Sequence, residues 1–346
     1  MRAAVLVEAG RMELRQVADS PAPDGGLVLE VKACGICGSD LRRWREGPSE
    51  GTDVLVPGHE VAGVVLEVGR GVTGYHPGER LAIAPDVHCG HCYYCRRGRY
   101  NLCDNLRLIG ITPGYPGGFA EQMPLTSEIL ANGIVNRIPD GLPFADAALA
   151  EPCSSVLAAH HKAGTALGDT VVIMGAGPIG CLHVVVARAR GARVIVSEPS
   201  ETRRMMVQRF SPDAIIDPSH EDVLACVREL TDGVGADLVV CANPVAATHA
   251  QAVEVVRKAG RVVLFGGLPK EAPSTTLDAN RIHYGEIDVV GAFSYHPVFH
   301  ELALLTLNRG SIPTDLLITH TFPLEEIQKG FEAASSGSAL KVMITM

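Results

Sequence analysis

Apolar positions change texture twice along the chain. Up to residue 151 they form short runs broken by glycine and proline, such as LVLEVKAC (27–34), VAGVVLEVG (61–69) and RLAIAP (80–85). Runs of this kind predict turn-rich β structure rather than helices. From Thr170 the pattern becomes an alternation. VVIM precedes IGCLHVVVARARG, RVIVS precedes ETRRMMVQRF, AIID precedes EDVLACVREL, and ADLVVC precedes THAQAVEVVRKAG; RVVLFG and IDVVGAF follow. Fully apolar strands separated by amphipathic helices predict a doubly wound parallel α/β sheet of six strands. The last stretch is mixed again, with helices expected around 300–310 and 324–337 and a terminal strand in KVMITM. We therefore expect a β-rich domain over 1–151, a doubly wound domain over 152–293, and a return of 294–346 to the first domain. There is neither an internal repeat nor a low-complexity segment.

At 346 residues the chain exceeds one ordinary core, which agrees with two domains. A net charge of −9 leaves no electrostatic footprint for nucleic acid. The run Arg96-Arg97-Gly98-Arg99 reads as a solvated loop face. Charges appear too early in MRAAVLVEAGRMELRQ for a secretory leader, and no stretch has the apolar length of a membrane helix. A cytoplasmic, reducing location is thus expected, where closely spaced cysteines are metal ligands before they are disulfides.

Gly175-Ala176-Gly177-Pro178-Ile179-Gly180 follows the strand VVIM and opens a helix. In that setting the glycines let backbone turn sharply and approach a pyrophosphate at the helix N-terminus. Glu198 ends the next strand, where an acid accepts the adenosine ribose hydroxyls and repels a 2′-phosphate. The expected cofactor is NAD rather than NADP. Arg203 and Arg204 follow closely; they are expected to flank the adenine or to pair with surface acids.

Ten cysteines include four in fifteen residues, Cys89, Cys92, Cys95 and Cys103, a spacing suited to a closed tetrahedral zinc. A looser set, Cys37, His59, Glu60 and Glu151, mixes soft and hard ligands as an open zinc site does, with a position left for water or substrate. Two zincs per chain are expected, one structural and one catalytic. Cys34, Cys181, Cys226 and Cys241 fall on apolar strands or helix faces and read as core residues.

In order, Cys37-Gly38-Ser39-Asp40, Pro57-Gly58-His59-Glu60-Val61-Ala62-Gly63, the four-cysteine lobe, Gly117-Gly118-Phe119-Ala120-Glu121, Glu151-Pro152 and the glycine turn occur as they do in one family. Over essentially its whole length the chain resembles the zinc-dependent medium-chain dehydrogenases, closest to the sorbitol (polyol) dehydrogenase branch with threonine dehydrogenases nearby. The resemblance implies a GroES-like β domain, a Rossmann domain, and a cleft between them for zinc and nicotinamide. It implies Cys37 and His59 as zinc ligands, with Glu60 or Glu151 completing the set directly or through water. Alcohol dehydrogenases of the family carry a cysteine near the position of Glu151; Cys153, two residues on, is a lesser candidate. The resemblance further implies a homo-oligomer, tetramer or dimer.

Related enzymes pass the alcohol proton through a Ser or Thr two residues after the zinc cysteine, often helped by a histidine three residues later. Ser39 is present, but Arg42 holds the histidine position, and arginine cannot serve as a base. Arg42 and Arg43 could instead hold an anion of substrate or cofactor. Phe293 is expected beside the nicotinamide, and Tyr295 and His296 with Arg42 in the substrate pocket. This polarity suits a polyhydroxy substrate: a polyol, sugar or cyclitol oxidised at a secondary hydroxyl. The alternatives are an amino-acid alcohol, as in threonine dehydrogenases, or a nonenzymatic NAD-binding protein that kept the fold.

Overall fold

The structure is a computed structural model and describes residues 1–19, 21–48 and 56–346. The chain divides into two compact units: Met1–Ser154 with Ser294–Met346, and Ser155–Phe293.

The first unit is built on an eight-stranded sheet. Its centre is the strand Leu27–Gly35, flanked by Glu60–Val68 and by the terminal strand Lys341–Thr345, both antiparallel to it. Arg80–Val87 continues the sheet beyond Glu60–Val68, and Ile318–Pro323 lies parallel to the terminal strand. The β runs expected at 27–34, 61–69 and 80–85 are thus strands of this sheet. Leu27, Leu29, Val61, Leu81, Ile83, Phe119, Phe331 and Ile344 are buried in one core. This packing lets residues far apart in sequence meet at the open end of the sheet: Gly35 stands in register with Glu60, and Met343 with Gly35.

The second unit is a six-stranded, all-parallel sheet. Its strands, in spatial order, are Ala214–Ile216, Arg193–Ser197, Thr170–Met174, Ala236–Cys241, Val256–Leu264 and Asp288–Gly291. Numbered along the chain this is 3-2-1-4-5-6, the doubly wound order with its crossover beside Thr170–Met174. One boundary differs from the periodic reading. The helix expected over 248–260 spans Ala246–Val255, and the next strand begins already at Val256. The pair Val255-Val256 is β-branched, and Ala259 has a positive φ of 54° that a helix cannot hold. The strand accommodates the extra residues as a register shift between Ala236 and Leu238.

Cys34, Cys181 and Cys241 are buried, as expected of core cysteines; Cys226 is only half-buried, on a helix flank with its thiol toward Glu221. No helix among the described residues is long and apolar enough to cross a membrane.

Candidate active site and metal centres

Among the described residues, two clusters of metal-type side chains form in the first unit. Cys89, Cys92, Cys95 and Cys103 bring their sulfurs within 4.8 Å of one another, and all are free thiols. Cys92 Sγ lies 3.5 Å from Cys95 Sγ and 4.0 Å from Cys103 Sγ. Four sulfurs about 2.3 Å from a central zinc in a tetrahedron would stand about 3.8 Å apart, so the cradle has the right size. Backbone amides of Cys89 and Asn105 donate to Cys103 Sγ, and that of Cys95 to Cys92 Sγ, bonds that favour thiolates. The His91 amide is the chief cause that draws the Cys89 thiol down to about 6, whereas burial pushes Cys95 up to about 12. Four convergent sulfurs served by amide donors form a set that a divalent cation would complete. Arg96, Arg97 and Arg99 are exposed on it, with the Arg97 guanidinium over the Tyr93 ring.

The second cluster is Cys37, His59 and Glu60, whose ligand atoms also lie within 4.8 Å of one another. Cys37 caps the helix Gly38–Glu46 and His59 immediately precedes the strand Glu60–Val68. Asp40, which the sequence reading missed, orients both donors. One of its oxygens accepts the Cys37 amide at 3.0 Å, and the other lies 3.5 Å from His59 Nδ1. That Nδ1 is buried and has no closer partner among the described residues. A histidine anchored by a carboxylate on Nδ1 offers Nε2 outward, the arrangement of a metal-binding imidazole. Burial disfavours the His59 cation, yet the charges of Asp40 and Cys37 together outweigh it and hold the ring well above its usual pKa. Ser39 Oγ is 3.4 Å from His59 Nε2.

Glu60 is fully buried, and Lys341 from the terminal strand neutralises it with contacts of 2.6 and 2.8 Å to its two oxygens. Lys341 also donates to the Ile36 carbonyl. Space for this carboxylate exists only because residue 35 is glycine: a Cβ there would come within 2.0 Å of Glu60 Oε2. The Gly35 and Lys341 contributions carry no sequence signal of their own.

Glu151 lies outside the three-residue set. It sits in the first turn of the helix Ala150–Lys162 and accepts the Tyr295 hydroxyl at 3.3 Å. Desolvation, with a smaller push from Glu60 against a pull from His59, raises it to about 7. Tyr295 was expected to face substrate; its ring is 2 % exposed and its hydroxyl is directed to Glu151, so it positions that carboxylate. His296 is half-buried, its Nδ1 taking the Val298 amide and its ring against Tyr100. Arg42 is exposed, while Arg43 donates to the Ile111 carbonyl. Cys153 is buried, its thiol pushed up by desolvation.

In the second unit the glycine turn has the shape its sequence required. Gly175 has φ +107°, and a Cβ on Gly180 would strike the Gly175 carbonyl at 2.0 Å, so the third glycine lets the helix Pro178–Ala189 press against the turn. A Cβ on Gly177, which caps that helix, would meet nothing, which leaves open space over the helix start where Pro178 and Ile179 follow. Glu198 is buried and accepts the amides of Ala176 and Ser200 at 2.7 and 2.9 Å, tying the second strand end to the turn. Arg204 is committed to the Glu198 and Pro199 carbonyls and to Asp217. Arg203 is half-buried in the first turn of the helix Glu201–Gln208, and Phe293 ends the unit at 58 % exposure.

Comparison with known proteins agrees with this geometry. Residues 23–139 match the alcohol dehydrogenase GroES-like domain and residues 178–308 the zinc-binding dehydrogenase domain. The chain is 34 % identical to a sorbitol dehydrogenase of Halalkalibacterium halodurans over 95 % of both chains. It is also 34 % identical to an L-threonine 3-dehydrogenase of Pyrococcus horikoshii over 95 % of this chain and 93 % of that one. A zinc-binding dehydrogenase structure from Sinorhizobium meliloti, bound to NADP, superposes with a TM-score of 0.90 at 33 % identity, covering 100 % of this chain and 99 % of the other. The chain belongs to the zinc-dependent medium-chain dehydrogenase family. It is an oxidoreductase with a GroES-like and a Rossmann domain, and the nonenzymatic alternative falls away.

Proposed function

We propose that the enzyme oxidises a secondary hydroxyl of a polyol, sugar or cyclitol to the ketone, reversibly, with zinc and NAD. The observation that carries this reading is the buried Cys37, His59 and Glu60 constellation backed by Asp40 and Lys341. Cys37 and His59 would hold the catalytic zinc, completed by Glu60 or Glu151; Cys89, Cys92, Cys95 and Cys103 would hold a structural one. Zinc at the first site would supply a Lewis acid for the substrate oxygen, and the nicotinamide the acceptor for the hydride.

The chain's own groups account for the rest. Oxidation releases a proton from the hydroxyl. Ser39, beside His59 Nε2, is placed to accept it and pass it to water, since Arg42 cannot take a proton. Lys341 compensates the charge of Glu60, so the donor set does not accumulate negative charge against the developing alkoxide. Glu151, raised by burial and bonded by Tyr295, is the second acid available to the site.

The cofactor half rests on Gly175, Gly177, Pro178, Ile179 and Gly180 for the pyrophosphate and Glu198 for the ribose, with Arg203 and Phe293 flanking. Glu198 supports NAD: Arg204 is already committed, and a buried carboxylate opposes a 2′-phosphate. Sorbitol dehydrogenase among the relatives supports a polyhydroxy substrate, with Arg42 and His296 as further contacts. An amino-acid alcohol is the second reading, favoured by the equal identity to L-threonine 3-dehydrogenase. A screen of polyols, inositols, aldoses, aldonates and L-threonine, read as NADH absorbance with and without chelator, separates them. Turnover of L-threonine alone would refute the polyol reading. We further propose a cytoplasmic homo-oligomer, tetramer or dimer; a monomer by light scattering would remove that part.

A further inference from the structure

One buried acid beside this site has no role in the reading above. Asp86 lies near the end of the strand Arg80–Val87 and is 5 % exposed. Ser294, its hydrogen-bond donor, is followed directly by Tyr295, whose hydroxyl bonds Glu151, and this sets Asp86 beside the site acids. Yet Asp86 forms no ion pair among the described residues: Lys341 is committed to Glu60, and Asp40 already serves His59.

Among the described residues its hydrogen bond is from Ser294 Oγ to Oδ2 at 2.5 Å. Ser294 adopts φ +48°, a left-handed conformation that serine seldom takes. That turn directs two successive side chains at two buried carboxylates, Ser294 at Asp86 and Tyr295 at Glu151. Such a conformation persists where its surroundings hold it, here through the bonds of Ser294 to Asp86 and of Tyr295 to Glu151. A carboxylate has about four acceptor sites, and one neutral hydroxyl fills one of them. Burying the charge so thinly partnered is unfavourable unless another donor arrives.

We propose that Asp86 is a specificity-determining residue: its carboxylate, held by Ser294, accepts the hydrogen bond of a second substrate hydroxyl, adjacent to the one oxidised. The inference rests on the polyol reading and deepens it. Desolvation raises Asp86 to about 6, with Ser294 and His59 pulling it back, and the Ser294 hydroxyl already addresses the carboxylate as an acceptor. A buried acceptor of this kind discriminates strongly, because a substrate lacking the hydroxyl leaves it unpaired.

The test compares kcat/KM for the best polyol of the screen with that for its deoxy analogue lacking the adjacent hydroxyl; 2,3-butanediol and 2-butanol are the smallest such pair. Asp86→Ala and the isosteric Asp86→Asn should shrink the wild-type preference by roughly 10- to 100-fold, mainly through KM, with zinc content unchanged. Ser294→Gly, which tolerates the positive φ, should shrink it less. Equal losses on both substrates, or an unchanged preference in a folded Asp86→Asn variant, overturn the inference while leaving the dehydrogenase reading intact. A wild-type enzyme that oxidises no polyol overturns that reading and this one with it.

Discussion

Lys341 Nζ lies 2.6 and 2.8 Å from the two carboxylate oxygens of Glu60, with both side chains buried and 281 positions apart in sequence. Burial by itself favours the uncharged lysine, but the negative charges of Glu60 and Cys37 prevail and raise its pKa. Removing one partner strands the other. Lys341→Met should therefore cost about 3–5 kcal/mol of stability. Adding Glu60→Gln should recover much of it. Urea unfolding of the two single variants and the double variant checks this; additive losses would show the pair is not coupled.

The four-cysteine lobe is expected to bind zinc independently of the first site. Cys103→Ser should lose about one zinc per chain and keep the other, as read by elemental analysis of the purified protein. His59→Ala should lose the complementary one, since each cluster holds its own donor set. Loss of both metals in either variant would mean the sites are linked.

Acid should weaken the Rossmann unit through two buried histidines. His160 accepts or donates to Thr165 Oγ1 at 2.8 Å and is bonded to His183 at 3.0 Å, beside Arg190 and Phe265. Burial, with the Arg190 charge, pushes His160 down to about 3; burial and His160 push His183 well below its usual value. A histidine whose folded pKa is depressed favours the neutral form. Its contribution is complete above the unfolded pKa near 6.5 and is lost as the pH falls toward 3. The expected loss from His160 is about 2 kcal/mol by pH 5, and His183 acts in the same direction. His183→Leu should flatten the stability profile between pH 7 and 5; an unchanged slope would refute this source.

Replacing Glu198 should change cofactor choice and stability together. Glu198→Ala removes the acid that disfavours a 2′-phosphate, so the NAD to NADP ratio of kcat/KM should fall by roughly 10-fold or more. It also frees the buried Ala176 amide and the Ser200 amide, at about 1–3 kcal/mol. Parallel kinetics with both cofactors and thermal melts read the two effects; an unaltered ratio would argue against Glu198 as the selector.

What the sequence showed and what it hid divide along range. Cys89, Cys92, Cys95 and Cys103, the turn at Gly175–Gly180 and the strand ADLVVC are local patterns, and each forms where its spacing required. The partners of the site were not legible. Lys341 reaches Glu60 only because the terminal strand pairs with Leu27–Gly35, and Gly35 matters only because that register sets it against Glu60. Asp40 was in view as part of Cys37-Gly38-Ser39-Asp40, yet its bond to the Cys37 amide is an N3-to-cap contact that spacing alone could have suggested. Tyr295 was legible as a site residue but not as a partner of Glu151, because a tyrosine in a polar segment gives no sign of which way its hydroxyl turns.

The most direct test of the central claim is NADH formation from the polyol panel by enzyme stripped of metal and then restored with zinc, run beside Cys37→Ser. Polyol oxidation that vanishes on stripping, returns with zinc, and stays absent in Cys37→Ser despite retained lobe zinc is the expected result. Undiminished oxidation by the metal-free enzyme or by Cys37→Ser would contradict it.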